Sequence, residues 1–501
     1  MFSFISIEFG LSFIAFFCLY WLLGARPQLQ NLLLLCTSYL IVYLSGKAQA
    51  LFALVIFTVF IYVISIRINV SSKPKIWLIS GYMFTLLNLM VWKYFDFFRT
   101  QLGDGLDTFG HNSDWLAGII LPLGISYYSF QAISYLVSLY QLRSNAQPAD
   151  RQFSLPGLAL YLSFFPTITA GPIARAYDAR GLTDISSKPC GMLTQIHMPE
   201  RRQILAPAVA LCLIVIALMK NWWLSGWIAD NWVDPVFANP MQYHSLEILA
   251  AIYGYTIQLF FNFSGYSDLV VAMGLLLGFR LPVNFRAPLL AHNIREFWQR
   301  WHISLSTWIR DYIYIPLGGN RHGMVRTQLN LLIAMVLSGI WHGNGWHFFI
   351  WGLLHGAGMI ALNLGDLLYS RLRHCTLEQA RNGLSKSSKA GNIISIVFTV
   401  HFVCFCFVFF RAPTVNDAFL LLHALLYNHV NVPLTTNPFY FFSLLLLAWM
   451  LYPLLAKFIA SLYERADTLP RYSLILPLLL LLILVLICAP AGIPGFIYAN
   501  F

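Results

Sequence analysis

The chain has 501 residues, of which 58% are hydrophobic and only 10% charged, with a mean hydropathy of +0.67. Soluble domains carry about a quarter of their residues as charges, so this composition excludes a water-soluble globular enzyme and defines a polytopic membrane protein. The formal charge of +11 does not point to nucleic acid, because the lysines and arginines fall in the short gaps between apolar runs, where the positive-inside rule puts them.

The chain opens on MFSFISIEFGLSFIAFFCLYWLLG, which has no basic stretch at its start and is interrupted by Glu8. It reads as a first membrane helix and not as a cleaved signal peptide. Apolar segments able to cross a bilayer need about 17–25 residues. Candidates cover 2–23, 31–45, 48–66, 76–95, 118–141, 204–227, 246–279, 391–411, 438–458 and 472–489. Most of the eight cysteines (Cys18, Cys36, Cys212, Cys404, Cys406 and Cys488) lie in apolar runs without a CxxC pair, and read as buried thiols.

Orientation follows from the basic clusters. Arg67, Lys73 and Lys75 mark one cytoplasmic gap, Arg143 and Arg151 a second, and Arg201 and Arg202 a third. Seven arginines between 280 and 326 and the cluster Arg371, Arg373, Arg381, Lys386 and Lys389 mark two more, whereas Asp104, Asp107, Asp114, Asp230, Asp234 and Glu247 fall in the alternate gaps. Both termini are then expected outside the cytoplasm. Residues 155–170 are too short to cross and contain Pro156 and Pro166, so they are expected to be re-entrant and buried in protein. Segments 327–341 and 344–363 must enter and return, because basic clusters flank both. Fifteen helical residues descend about 22 Å, which places Trp341, His342 and Gly343 deep in the membrane at a helical turn. There is no Rossmann glycine fingerprint, P-loop or separate soluble module, and residues 1–501 read as one membrane domain.

The polar groups concentrate between Arg280 and Gly358. Read as one helix, 293–311 places Arg295, Gln299, His302, Ser306 and Arg310 on a single stripe. Such a stripe suits either an interfacial helix with a solvated face or the wall of a water-filled tunnel whose arginines meet phosphates. His342 has two readings as well. It is a core histidine held by a neighbouring carbonyl, or a general base taking a proton from a hydroxyl as it attacks a thioester. Gly339, Gly343 and Gly345 beside it are expected to let a substrate approach the backbone, with His347 and His355 as secondary lining. No carboxylate or cysteine joins these histidines at ligand spacing, so no metal is assigned. A transporter or channel with a histidine proton pathway is the reading from a different class.

The stretch PVNFRAPLLAHNIREFWQRWHISLSTWIRDYIYIPLGGNR, followed by SGIWHGNGWHFFIWGLLHG, resembles the signature of membrane-bound O-acyltransferases. LPLGISYYSFQAISYLVSLYQ and FFPTITAGPIAR extend the similarity over about residues 120–360. It is nearest the bacterial branch of alginate O-acetylases, peptidoglycan O-acetyltransferases and teichoic acid D-alanyltransferases. The resemblance implies an all-α polytopic fold, a ring of about 11–12 transmembrane or re-entrant helices around a tunnel, in the bacterial inner membrane. It implies that His342 is the catalytic histidine and His302 a second one lining the tunnel, while Arg295, Gln299, Ser306, Arg310 and Trp341 are expected, from the residues themselves, to bind the donor in that tunnel. The implied donor is acetyl-CoA, or a carrier-protein thioester if the group moved is D-alanyl. The last residues, 496–501, resemble an aromatic C-terminal tail whose tyrosine, here Tyr498, relays the acyl group to an extracytoplasmic SGNH-type O-acetyltransferase. From the residues alone, the alternative reading of the same tail is an interfacial aromatic anchor.

Overall fold

Helices dominate the computed structural model, which describes residues 4–94, 123–144, 152–177, 191–384, 388–465 and 471–490, and no strand occurs among the described residues. Eight of these helices are long and apolar enough to cross a membrane, and two shorter apolar helices, Ile7–Leu22 and Leu476–Cys488, accompany them. The chain divides into two compact units, one made of Met1–Ala210 with Tyr266–Val283 and the other of Leu211–Gly265 with Asn284–Phe501.

In the first unit, α1 (Ile7–Leu22) starts where Ser6 accepts the Phe9 amide at 3.1 Å, satisfying one of the amides a helix start leaves open. Helices α2 (Pro27–Val70) and α3 (Pro74–Lys93) both begin on proline, whose missing N–H costs nothing in a first turn. The long α2 is really two spans. Its backbone leaves helical geometry at Gly46 and Lys47, between the segments 31–45 and 48–66 expected from the sequence. Helix α4 (Ile125–Ser144) is the interior element: its residues from Tyr127 to Leu136 are all buried. The expected start of that span, from residue 118, lies outside the described residues. The proline-bearing stretch 155–170 forms α5 (Leu155–Ser163) and α6 (Phe165–Ile168), both buried against α2 and α4, followed after the polar insertion by α7 (Met192–Ile196). Two short helices buried inside the unit are what polar backbone at membrane depth requires.

The elements that reach the second unit are α8 (Pro207–Ala238) and α9 (Ser245–Leu276), then α10 (Ile294–Arg300), α11 (Ile303–Ile309), α12 (Met324–His342), α13 (Trp346–Leu372), α14 (Leu377–Leu384), α15 (Lys389–Arg411), α16 (Val415–Asn431), α17 (Asn437–Arg465) and α18 (Arg471–Cys488). The core of this unit is aromatic. Phe297 and Trp301 from the α10 region, Phe348 and Trp351 from α13, and Phe407 and Phe410 from α15 form one cluster. By contrast, α17 exposes Leu444, Leu447, Met450 and Leu454, an apolar surface suited to lipid and not to water.

Candidate active site

Helices α12 and α13 are joined by only Gly343, Asn344 and Gly345, so they return on each other side by side. A β-carbon on Gly352 would stand 2.6 Å from the Met335 carbonyl oxygen, one on Gly356 2.7 Å from Leu332, and one on Gly339 would strike the Phe348 carbonyl. These glycines therefore bring two backbones together, as small residues do between membrane helices. The Gly339, Gly343 and Gly345 reading is corrected here: Gly339 meets a helix, Gly343 the Phe348 ring and Gly345 the His347 ring, so the space expected for a substrate holds protein.

His342 is the last residue of α12 and is 3% exposed. Its ring lies 4.6 Å from Trp341, 5.2 Å from Trp351 at nearly a right angle, and 5.0 Å from Phe410. Trp351 also touches His355 at 4.8 Å, which is fully buried and in contact with Trp298 at 5.0 Å. Neither ring nitrogen of His355 has a hydrogen-bond partner among the described residues. His347 differs: its Nδ1 pairs with the Phe409 carbonyl at 3.0 Å, a structural tie to α15.

The single helix expected over 293–311 is two. α10 ends at Arg300, and His302 sits in the left-handed region (φ 43, ψ 53) before α11 begins. A non-glycine residue there costs about 1–3 kcal/mol and persists only where its surroundings over-determine it. The surroundings are visible. The Arg286 amide donates to the Arg300 carbonyl and the Ile303 amide to the Asn284 carbonyl, both at 3.0 Å, which pairs the extended 284–286 stretch with the break. The Asn284 side chain then accepts from the Ser304 hydroxyl at 2.6 Å and its amide at 3.3 Å. The bend turns the imidazole inward, 1% exposed, 4.6 Å edge-on to Phe263. Burial without a charged neighbour pushes His302 well below its ordinary value, to about 3, and keeps it neutral. Phe263, Phe285, Trp301, Phe407 and Trp351 form a continuous series of ring contacts from His302 to His342.

The break scatters the rest of the expected stripe. Arg295 does not point at an open tunnel: it donates to Asp366 at 2.6 Å and Asn363 at 2.8 Å, with Arg381 on the same carboxylate at 3.4 Å. Gln299 is exposed, the Ser306 hydroxyl donates to the Trp301 carbonyl at 3.0 Å, and exposed Arg310 pairs with Asp311 at 3.0 Å. Trp341 is half-buried against His342. Tyr498 lies outside the described residues. Asn284, missed from the sequence, had one signal: a lone polar residue between apolar neighbours shortly before the arginine-rich stretch.

Eight helices long and apolar enough to cross a membrane, with buried histidines between closely packed ones, define a multi-pass helical membrane protein. The comparison with known proteins sets the family. The model of the membrane-bound O-acyltransferase family matches residues 16–404, and the chain belongs to that family. It is 33% identical to a probable alginate O-acetylase of Pseudomonas aeruginosa over 82% of this chain and 72% of that one. It is 31% identical to a peptidoglycan O-acetyltransferase of Helicobacter pylori over 79% and 74%. A teichoic acid D-alanyltransferase of Bacillus subtilis is 27% identical over 58% and 69%. The chain is thus a membrane-bound O-acyltransferase.

Proposed function

We propose that this enzyme moves an acetyl group from cytoplasmic acetyl-CoA across the bacterial inner membrane, for O-acetylation of an extracytoplasmic polysaccharide. The observation that carries the proposal is His342 at the tip of the α12–α13 turn, buried among rings, with two further buried imidazoles in the same aromatic cluster. A buried ionisable group in a membrane protein marks a reaction centre or a pathway more often than a packing role. The His342 imidazole takes the proton of an attacking hydroxyl. The hydroxyl oxygen bonds to the thioester carbonyl carbon, the carbon–sulfur bond breaks, and the proton passes to the leaving thiolate. His302, neutral and held at a strained bend, assists by orienting the reacting groups. The hydroxyl is that of Tyr498 in a relay, whose ester then passes the acetyl group to an SGNH-type partner outside. Both termini stand extracytoplasmic in this scheme. The alginate and peptidoglycan O-acetylating relatives, similar over more of the chain than the D-alanylating one, favour acetyl over D-alanyl.

The test is O-acetylation of the cell-envelope glycan in cells carrying His342→Ala at wild-type protein level. Loss of glycan acetate is expected. Normal acetylation removes His342 from the chemistry. Tyr498→Phe keeps the aromatic tail and deletes the hydroxyl, so undiminished transfer in that variant refutes the relay.

A further inference from the structure

The first unit has a cavity of its own. The start of α2, the start of α5 and the stretch 196–199 line a half-open cavity of about 830 Å3. That is within the range of small-molecule sites, about 300–1,000 Å3. Arg26 and His197 stand at its lining, and among its described lining residues there is no carboxylate. Two helices, α2 and α5, begin on it, and helix starts favour negative charge.

The stronger sign lies directly behind its wall. Arg202 is only 5% exposed, yet all its partners among the described residues are neutral. It donates to the Tyr20 hydroxyl at 3.3 Å, the Gln195 carbonyl at 3.1 Å and the Asn31 side-chain oxygen at 2.7 Å, and lies 4.5 Å over the Phe279 ring. Asn31 is itself part of the cavity lining and donates to the Ile196 carbonyl at 2.8 Å. A buried guanidinium is costly unless an opposite charge stands near it. Arg295 in the second unit shows the ordinary solution, a buried carboxylate at 2.6 Å. At Arg202 the described residues supply none, and the wall that its hydrogen bonds hold faces the cavity lined by Arg26 and His197.

We infer that this cavity binds a phosphate ester, with Arg26 and His197 at the phosphate and Arg202 behind Asn31 as the buried counter-charge. Two sources share that chemistry: the nucleotide end of a coenzyme A donor, and the headgroup of an anionic phospholipid. The donor source rests on the acetyl-CoA reading above; the lipid source does not.

The experiment uses the full chain in lipid nanodiscs. Binding of coenzyme A is measured by calorimetry, and retention of phosphatidylglycerol over phosphatidylcholine by native mass spectrometry. Wild type is compared with the double variant Arg26→Gln/His197→Gln, whose side chains are exposed and leave the fold intact. A tenfold or greater loss of coenzyme A affinity assigns the site to the donor, and loss of phosphatidylglycerol enrichment assigns it to lipid. Unchanged values for both overturn the site, as does a wild type that binds neither. Asn31→Asp is the second probe. It gives Arg202 an internal carboxylate, so the unfolding midpoint should rise while the ligand affinity falls about tenfold. A midpoint and an affinity that both stay put also overturn it. Both ligands are measured without turnover, so failure here and failure of the acetyl-transfer chemistry are told apart.

Discussion

Gly352→Ala is a one-carbon test of how α12 and α13 hold His342 in place. In a free helix the change is favourable by about 1 kcal/mol, because alanine loses less backbone entropy. Here the new methyl would stand 2.6 Å from the Met335 carbonyl oxygen and 3.0 Å from the Val336 α-carbon, both backbone atoms that cannot swing away. Forcing a methyl into such packing costs about 1–3 kcal/mol, so the clash wins or at least cancels the propensity gain. The same helix contains its own control. Nothing lies within 4 Å of a β-carbon on Gly365, so Gly365→Ala meets no clash and should stabilise by about 0.5–1 kcal/mol. The two alanine variants should therefore differ by roughly 1–3 kcal/mol in detergent unfolding experiments, taking the clash term as the deciding one. Because Gly352 adjoins Trp351, which touches His342, the first variant should also lower acyl transfer and the second should not. Equal midpoints for the pair would refute the close-approach argument, and equal transfer would uncouple the helix contact from the site.

The buried His302 makes stability depend on pH. Its folded value is depressed, so the unfolded chain takes the proton first as pH falls through about 6.5, and stability present above that pH is lost on acidification towards the folded value. At pH 5 the loss is on the order of 2 kcal/mol, and His302→Gln should flatten the drop in midpoint between pH 7 and 5; an unchanged slope in the variant counts against it. Asp366→Ala leaves the half-buried Arg295 without its carboxylate and should cost about 1–3 kcal/mol, more than Asp234→Ala, whose exposed pair with Arg411 contributes under about 1 kcal/mol. Equal midpoints for those two variants would show that burial of Asp366 carries no weight.

Spans were legible where apolar length decides them, because a bilayer demands a minimum helix and tolerates little charge inside it. The two spans within Pro27–Val70 and the in-and-back pair α12 and α13 are of this kind. The break at His302 was not legible. A polar residue every three or four positions reads as helix, and only the pairing of the 284–286 stretch with residues 300–303 forces the left-handed turn. The tail bearing Tyr498, for which the sequence alone offers a role, lies outside the described residues.

By itself the sequence determined the class of protein, the positions of most membrane helices and the prominence of His302 and His342, because composition and short motifs are local properties of the chain. The surroundings of those residues were settled only by tertiary structure. It joined Arg295 to Asp366 across 71 residues, packed Gly339 against α13 in place of a substrate, and set His355 against Trp351. The physical reason is that desolvation and charge pairing depend on which distant groups meet, and apolar periodicity carries no record of that.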